Sequence, residues 1–117
     1  MKRKVIVAAG FVMLAGTAHG QIVEPWIGRW SIDPAGCTSY GTTASTSPLV
    51  VTDKTLSWFS SNCRIGKLYK TGQDAHIQAH CSADGIAKDT PVSLKPHGNR
   101  MLVIWDSKPV GEMQKCR

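Results

Sequence analysis

Cys63-Arg64-Ile65-Gly66-Lys67-Leu68-Tyr69-Lys70-Thr71-Gly72-Gln73-Asp74-Ala75-His76-Ile77-Gln78-Ala79-His80-Cys81 reads as a β-hairpin. In its second half Ala75, Ile77, Ala79 and Cys81 alternate with His76, Gln78 and His80, the period-2 pattern of a strand with one apolar and one polar face. Thr71-Gly72-Gln73-Asp74 supplies the reversal, because Gly and Asp accept the backbone angles a tight turn needs. Cys63 and Cys81 each lie nine residues from Gly72, so a symmetric hairpin centred there sets them opposite each other. Opposed strand residues come close enough for a disulfide. The spacing therefore predicts a Cys63–Cys81 bridge and leaves Cys37 to pair with Cys116, tying the first strand to the last.

Outward from the hairpin the same period continues, and no stretch shows a sustained helical repeat. The alternation predicts strands near residues 28–32, 49–52, 55–60, 63–69, 76–82, 92–96, 101–106 and 111–116. Asp33-Pro34-Ala35-Gly36, Asp53-Lys54, Ser60-Ser61-Asn62, Ala83-Asp84-Gly85 and Pro96-His97-Gly98-Asn99 supply further turns. The expected fold is all-β, a small antiparallel barrel or sandwich of about eight strands with two disulfides. Residues 40–48, rich in Thr and Ser, read as a solvated loop, and residues 83–90 have room for one short helical turn.

The first twenty residues read as a secretory signal peptide. Lys2-Arg3-Lys4 is its basic start and Val5 to Ala15 its apolar run, too short to span a bilayer. Ala18 and Gly20 suit cleavage before Gln21, and a cut after Ala18 is the alternative. Removing 20 of the 117 residues leaves 97, the size of one domain, so the division is 1–20 leader and 21–117 mature domain. No transmembrane segment is expected after cleavage. The leader also takes three of the six net positive charges, leaving the mature chain near +3. Its basic residues are scattered among acids and do not form a nucleic-acid footprint. An even number of cysteines in a small exported domain points to an oxidising compartment, the periplasm or beyond.

No constellation in the chain spells catalysis. There is no Gly-x-Ser-x-Gly elbow, no phosphate-binding glycine loop, and no cysteine left free once both bridges form. His76 and His80 share a strand face but lie roughly 13 Å apart along it, too far to ligate one ion. We therefore expect no enzyme, no metal and no cofactor. Of the four tryptophans, Trp30 and Trp58 sit at apolar strand positions, whereas Trp26 beside Pro25 is expected to be exposed. The remaining candidate site is the polar, basic group around the central hairpin: Ser60, Ser61, Asn62, Arg64, Lys67, Tyr69 and Lys70. Cations held on a rigid hairpin suit a cleft lined by carboxylates.

Gly28-Arg29-Trp30, a Gly-x-Trp on the first mature strand, resembles the start of calycin barrels, including short bacterial inhibitors of secreted proteases. That resemblance implies an inhibitor whose N-terminal segment, Gln21 to Trp26, enters the protease. A broader resemblance rests on residues 30–37, Cys63-Arg64-Ile65, Gln78-Ala79-His80-Cys81, residues 101–105 and Glu112-Met113-Gln114-Lys115-Cys116. It is to the small four-cysteine periplasmic proteins of rhizobial and Brucella-type alphaproteobacteria, which include a peptidoglycan hydrolase inhibitor acting on lysozyme-like muramidases. The implied partner is a peptidoglycan hydrolase, a lysozyme or a bacterial muramidase. The chain lacks the Ser-Gly-x-x-Tyr stretch of other periplasmic lysozyme inhibitors, so their inhibitory residues do not carry over. A mature domain near +3 meets a strongly basic animal lysozyme unfavourably at long range, which favours a less basic bacterial target. A third expectation, from charge alone, is an envelope component that binds anionic lipid or cell-wall polymer.

Overall fold

In the computed structural model, which describes residues 23–38 and 43–117, eight antiparallel strands close into a barrel in chain order. They are β1 (Gly28–Ser31), β2 (Leu49–Val51), β3 (Thr55–Trp58), β4 (Ser61–Thr71), β5 (Asp74–Ala83), β6 (Ile86–His97), β7 (Arg100–Trp105) and β8 (Lys108–Lys115). The barrel, not the sandwich, is therefore the outcome. Every strand expected from the alternation is present, most with ends shifted by one to three residues, while β6 starts six residues earlier than expected, at Ile86. The leader and the mature start at Gln21 lie outside the described residues.

Period-2 burial explains the closure. Ala75, Ile77, Ala79 and Cys81 of β5 face the interior with Val92 and Leu94 of β6 and Met101 and Val103 of β7, all buried. Opposite them Trp30, Leu49 and Leu56 fill the space from the short strands, so the interior is packed with side chains. Both disulfides form as expected, Cys37–Cys116 and Cys63–Cys81. The first bolts the weakest seam. β1 meets β8 over two rungs only, Trp30↔Lys115 and Ser31↔Gln114, and the Cys116 amide extends them by donating to the Arg29 carbonyl at 2.8 Å.

The Cys63–Cys81 pairing arises differently from the symmetric count. The turn is a two-residue loop, Gly72-Gln73, between the paired Thr71 and Asp74, so its centre lies half a residue beyond Gly72. A regular ladder from that turn would set Cys63 opposite Ser82, on the wrong face, because a one-residue slip turns every side chain over. A bulge at Gly66, between Ile65↔Ala79 and Lys67↔Gln78, restores Cys63↔Cys81.

Two expectations are corrected. Residues 83–90 hold no helical turn: Asp84 and Gly85, with φ of 52° and 79°, form a hairpin loop of the kind that matches strand twist, and β6 starts at Ile86. Trp26 is not exposed but 2 % accessible. Glu24 to Ile27 makes a turn, the Ile27 amide donating to the Glu24 carbonyl at 3.1 Å, and the Trp30 indole Nε1 donates to the Trp26 carbonyl at 3.0 Å. The apolar ring of Trp26 thus joins the core from outside the strands, a tertiary contact that local alternation cannot signal. Within the described part of the polar loop, Ala44–Thr46 forms a short 3-10 turn.

Because consecutive strands run antiparallel, the turns alternate between two rims. Phe59-Ser60, Asp84-Gly85 and Asp106-Ser107 share what we call the upper rim, and Gly72-Gln73 and Gly98-Asn99 share the lower one. β6 pairs with β5 from Ile86 but with β7 only from Val92. The upper part of β6 therefore extends past the end of β7.

Candidate functional site: a cationic bulge on the barrel wall

The bulge that aligns the cysteines also organises the wall outside it. Gly66 lies so close to β5 that a β-carbon there would sit 2.6 Å from His80 Nε2 and 2.9 Å from the Gln78 carbonyl oxygen. The His80 ring is held in that position from the far side, its Nδ1 2.6 Å from Asp89 Oδ1 on β6. On the other side of β4 the Ile65 amide donates to the Lys54 carbonyl at 2.8 Å, carrying the β3–β4 register one step past Thr55↔Arg64 into the β2–β3 turn.

Two cations flank this fixed point, and a third lies on the adjoining turn. Arg64 and Lys67 flank Gly66 on the outward face, opposite His80 and Gln78 respectively, and so lie about 7 Å apart along the strand. Lys54 stands on the neighbouring turn, its carbonyl on the Ile65 amide, and all three residues are exposed. Among the described residues none of the three has an ion pair or side-chain hydrogen bond. Lys70, Lys88 and Arg100 are engaged, with Glu24, Asp106 and Glu112, at 3.0, 2.6 and 2.9 Å, whereas Lys95, Lys108 and Arg117 have no ion pair among the described residues either.

Below the bulge on the same wall, Tyr69 stacks on His76, ring centroids 5.2 Å apart and planes inclined by 27°. His76 is fixed by Ser93 Oγ at 3.2 Å and Thr71 Oγ1 at 2.5 Å. The Tyr69 ring is 64 % exposed beside the cations. His76 and His80 do share the outward face, each with partners of its own, and the described residues contain no group of three or more His, Cys, Asp or Glu suited to a metal ion.

The seven residues expected to form the site divide accordingly. Arg64, Lys67 and Tyr69 share the outward wall, spread over roughly 13 Å opposite His80, Gln78 and His76. Ser60, Ser61 and Asn62 sit at the upper rim, where Asn62 Oδ1 accepts from Ser57 Oγ at 3.4 Å. Lys70 lies near the lower rim, opposite the inward-facing Ala75, and reaches Glu24. Ser60 and Lys70 are ten positions apart on an extended strand, roughly 33 Å, so they cannot serve one contact. Lys54 was missed because Asp53-Lys54 reads only as a turn, and its approach to Ile65 depends on cross-strand register.

At the upper rim Phe59 occupies the left-handed region with φ of 54° and is 53 % exposed. A bulky side chain there is strained, in a position that suits glycine. Trp58 and Trp105 meet edge to face just below it, centroids 5.3 Å apart. Comparison with protein-family models, with curated proteins and with solved structures returns no match to this chain.

Proposed function

We propose that the mature domain is a periplasmic protein inhibitor of a glycan-cleaving peptidoglycan hydrolase, a lysozyme-like muramidase, whose substrate cleft it blocks with the wall around Gly66. The observation that carries this reading is the pair of exposed cations Arg64 and Lys67 on the outward face either side of a bulge that Gly66, His80 and Asp89 hold in shape, with the exposed Lys54 on the adjoining turn. Muramidase chemistry commonly uses a pair of carboxylates flanking the glycosidic bond. An anionic cleft of that kind rewards a pre-positioned cation with charge-assisted hydrogen bonds, and a rigid wall loses little freedom on docking. Tyr69 adds an aromatic surface with a hydroxyl at the edge of the same patch. The interior is filled with side chains, which supports recognition by the outer surface of the barrel. The two disulfides fit an oxidising compartment outside the cytoplasm, and no helix among the described residues is long and apolar enough to cross a membrane. Inhibition is then stoichiometric and needs no cofactor.

The test is a charge series on residues 21–117: Arg64→Ala/Lys67→Ala, the same pair with Lys54→Ala, and Lys95→Ala as a surface control. The double variant is expected to raise the inhibition constant against a bacterial muramidase at least tenfold, and the triple variant further, with melting temperatures unchanged because all three side chains are exposed. Undiminished inhibition by the triple variant would remove the bulge as the working surface. Salt-sensitive binding to anionic vesicles, with no inhibition at all, would move the protein to the envelope-binding class.

A further inference from the structure

The upper part of β6 is a strand with one side unused. The Pro91 carbonyl accepts from the Asp106 amide at 2.8 Å, so the polar groups of residue 91 face β7. Backbone groups alternate sides along a strand, so the N–H and C=O of Ala87 and Asp89 face the same way, beyond the point where β7 has turned off into the Asp106-Ser107 loop. Ala83↔Ile86 closes the β5–β6 loop on the other side, which is consistent with residues 86, 88 and 90 bonding to β5. Pro91 stands where the β6–β7 ladder stops, a place where its missing N–H costs least. Ala87 and Asp89 are exposed, and among the described residues no backbone partner takes their four polar groups.

Beside this edge lies a cavity of about 240 Å³, with Cys81, Ile86, Thr90 and Trp105 among its walls. Ile86 is 70 % exposed, and Lys88 and Asp106 satisfy each other across the opening at 2.6 Å. On the wall side of the same edge the Asp89 side chain is 83 % exposed with one oxygen on His80.

We infer that the free edge of β6 at Ala87 and Asp89 takes up an extended peptide segment of a partner protein as an added strand, with an apolar side chain in the Trp105 cavity and a basic side chain against Asp89. Main-chain pairing supplies the attraction, and the two faces of the added strand supply the selection. A second copy of this chain fits poorly. Two-fold antiparallel pairing sets a residue opposite itself, and centred on the middle of this edge it opposes Lys88 to Lys88. This goes beyond the inhibitor reading and does not depend on the cations around Gly66.

The experiment titrates residues 21–117 into a labelled, capped peptide in which two leucines flank a central lysine between threonines, followed by fluorescence anisotropy. Saturable binding is expected, weakened at least tenfold by Ala87→Pro, and several-fold by Asp89→Ala. Ala87→Pro removes an edge-facing donor and leaves the β5 side of the ladder intact, so its melting temperature should stay close to that of the parent. A peptide N-methylated on alternate amides tests the same pairing on the unaltered protein and should bind at least tenfold more weakly in the register that blocks the edge. Absence of saturable binding, or equal binding by the N-methylated peptides, overturns the inference. So does a dimer in sedimentation that Ala87→Pro dissolves, since the edge would then belong to a second copy.

Discussion

Replacing Gly66 by Ala is the sharpest perturbation of this fold, because the bulge serves both the disulfide register and the cationic wall. The new β-carbon would stand 2.6 Å from His80 Nε2, 2.9 Å from His80 Cδ2 and 2.9 Å from the Gln78 carbonyl oxygen. The imidazole can swing away only by giving up its 2.6 Å contact with Asp89, and the carbonyl, part of the β5 backbone, cannot swing at all. Overpacking of this kind costs about 1–3 kcal/mol. Taking about 2 kcal/mol, the melting temperature of a domain this size should fall by roughly 8–16 °C. In a His80→Ala background two of the three close approaches disappear, so the same substitution should cost about half as much. The assay is thermal or urea unfolding of the four proteins of this double-mutant cycle, with disulfide mapping to verify that Cys63–Cys81 still forms. A Gly66→Ala protein as stable as its parent, or a cost unchanged by His80→Ala, would refute the packing argument.

Other consequences follow from the rims and the seam. Phe59→Gly exchanges a left-handed penalty of about 1–2 kcal/mol for the smaller entropic cost of glycine, and should stabilise by about 0.5–1 kcal/mol, read as a melting temperature higher by roughly 2–8 °C. The two disulfides span 79 and 18 positions, so in the chain-entropy model losing Cys37–Cys116 costs about 4.5 kcal/mol and losing Cys63–Cys81 about 3 kcal/mol. Urea midpoints of the paired Cys→Ala variants check that order. The Glu112 carboxyl is held below its ordinary value first by the Arg100 hydrogen bond and then by that from His97, with burial working weakly the other way. Its stabilisation is therefore present in full above the unfolded-state value of about 4.5 and is lost as pH falls through the lower folded-state value. Glu112→Gln should flatten the acid limb of a melting-temperature profile below that pH, and less so in high salt, because the cluster is exposed.

Much of the architecture was readable because β5 and its neighbours bury one face only, and such strands spell their orientation residue by residue. Ala75 to Cys81 is the clearest case. The Cys63–Cys81 pairing emerged from a count about Gly72 in which two displacements cancelled: the loop centre lies half a residue later, and the Gly66 bulge moves the register back. An isolated glycine within a strand pattern is a bulge signal, and Gly66 carried it. The start of β6 was illegible because Ile86 to Asp89 stands above the rim with no interior to face, so its side chains obey no buried alternation. Trp26 misled for the converse reason: it is buried by a turn outside the ladder. Of the site, Arg64, Lys67 and Tyr69 were legible as outward hairpin residues. Lys54 and the Asp89 support of His80 depend on which strands become neighbours, which is settled only when the barrel closes.

Whether the domain inhibits a muramidase is decided by the turbidity of a peptidoglycan suspension during hydrolysis by a bacterial muramidase and by an animal lysozyme, while residues 21–117 are titrated in. Saturating inhibition of the bacterial enzyme near equimolar protein is expected, with weaker inhibition of the strongly basic lysozyme and loss of both on replacing Lys54, Arg64 and Lys67 by Ala. Hydrolysis by both enzymes continuing unchanged at large molar excess would contradict the inhibitor reading.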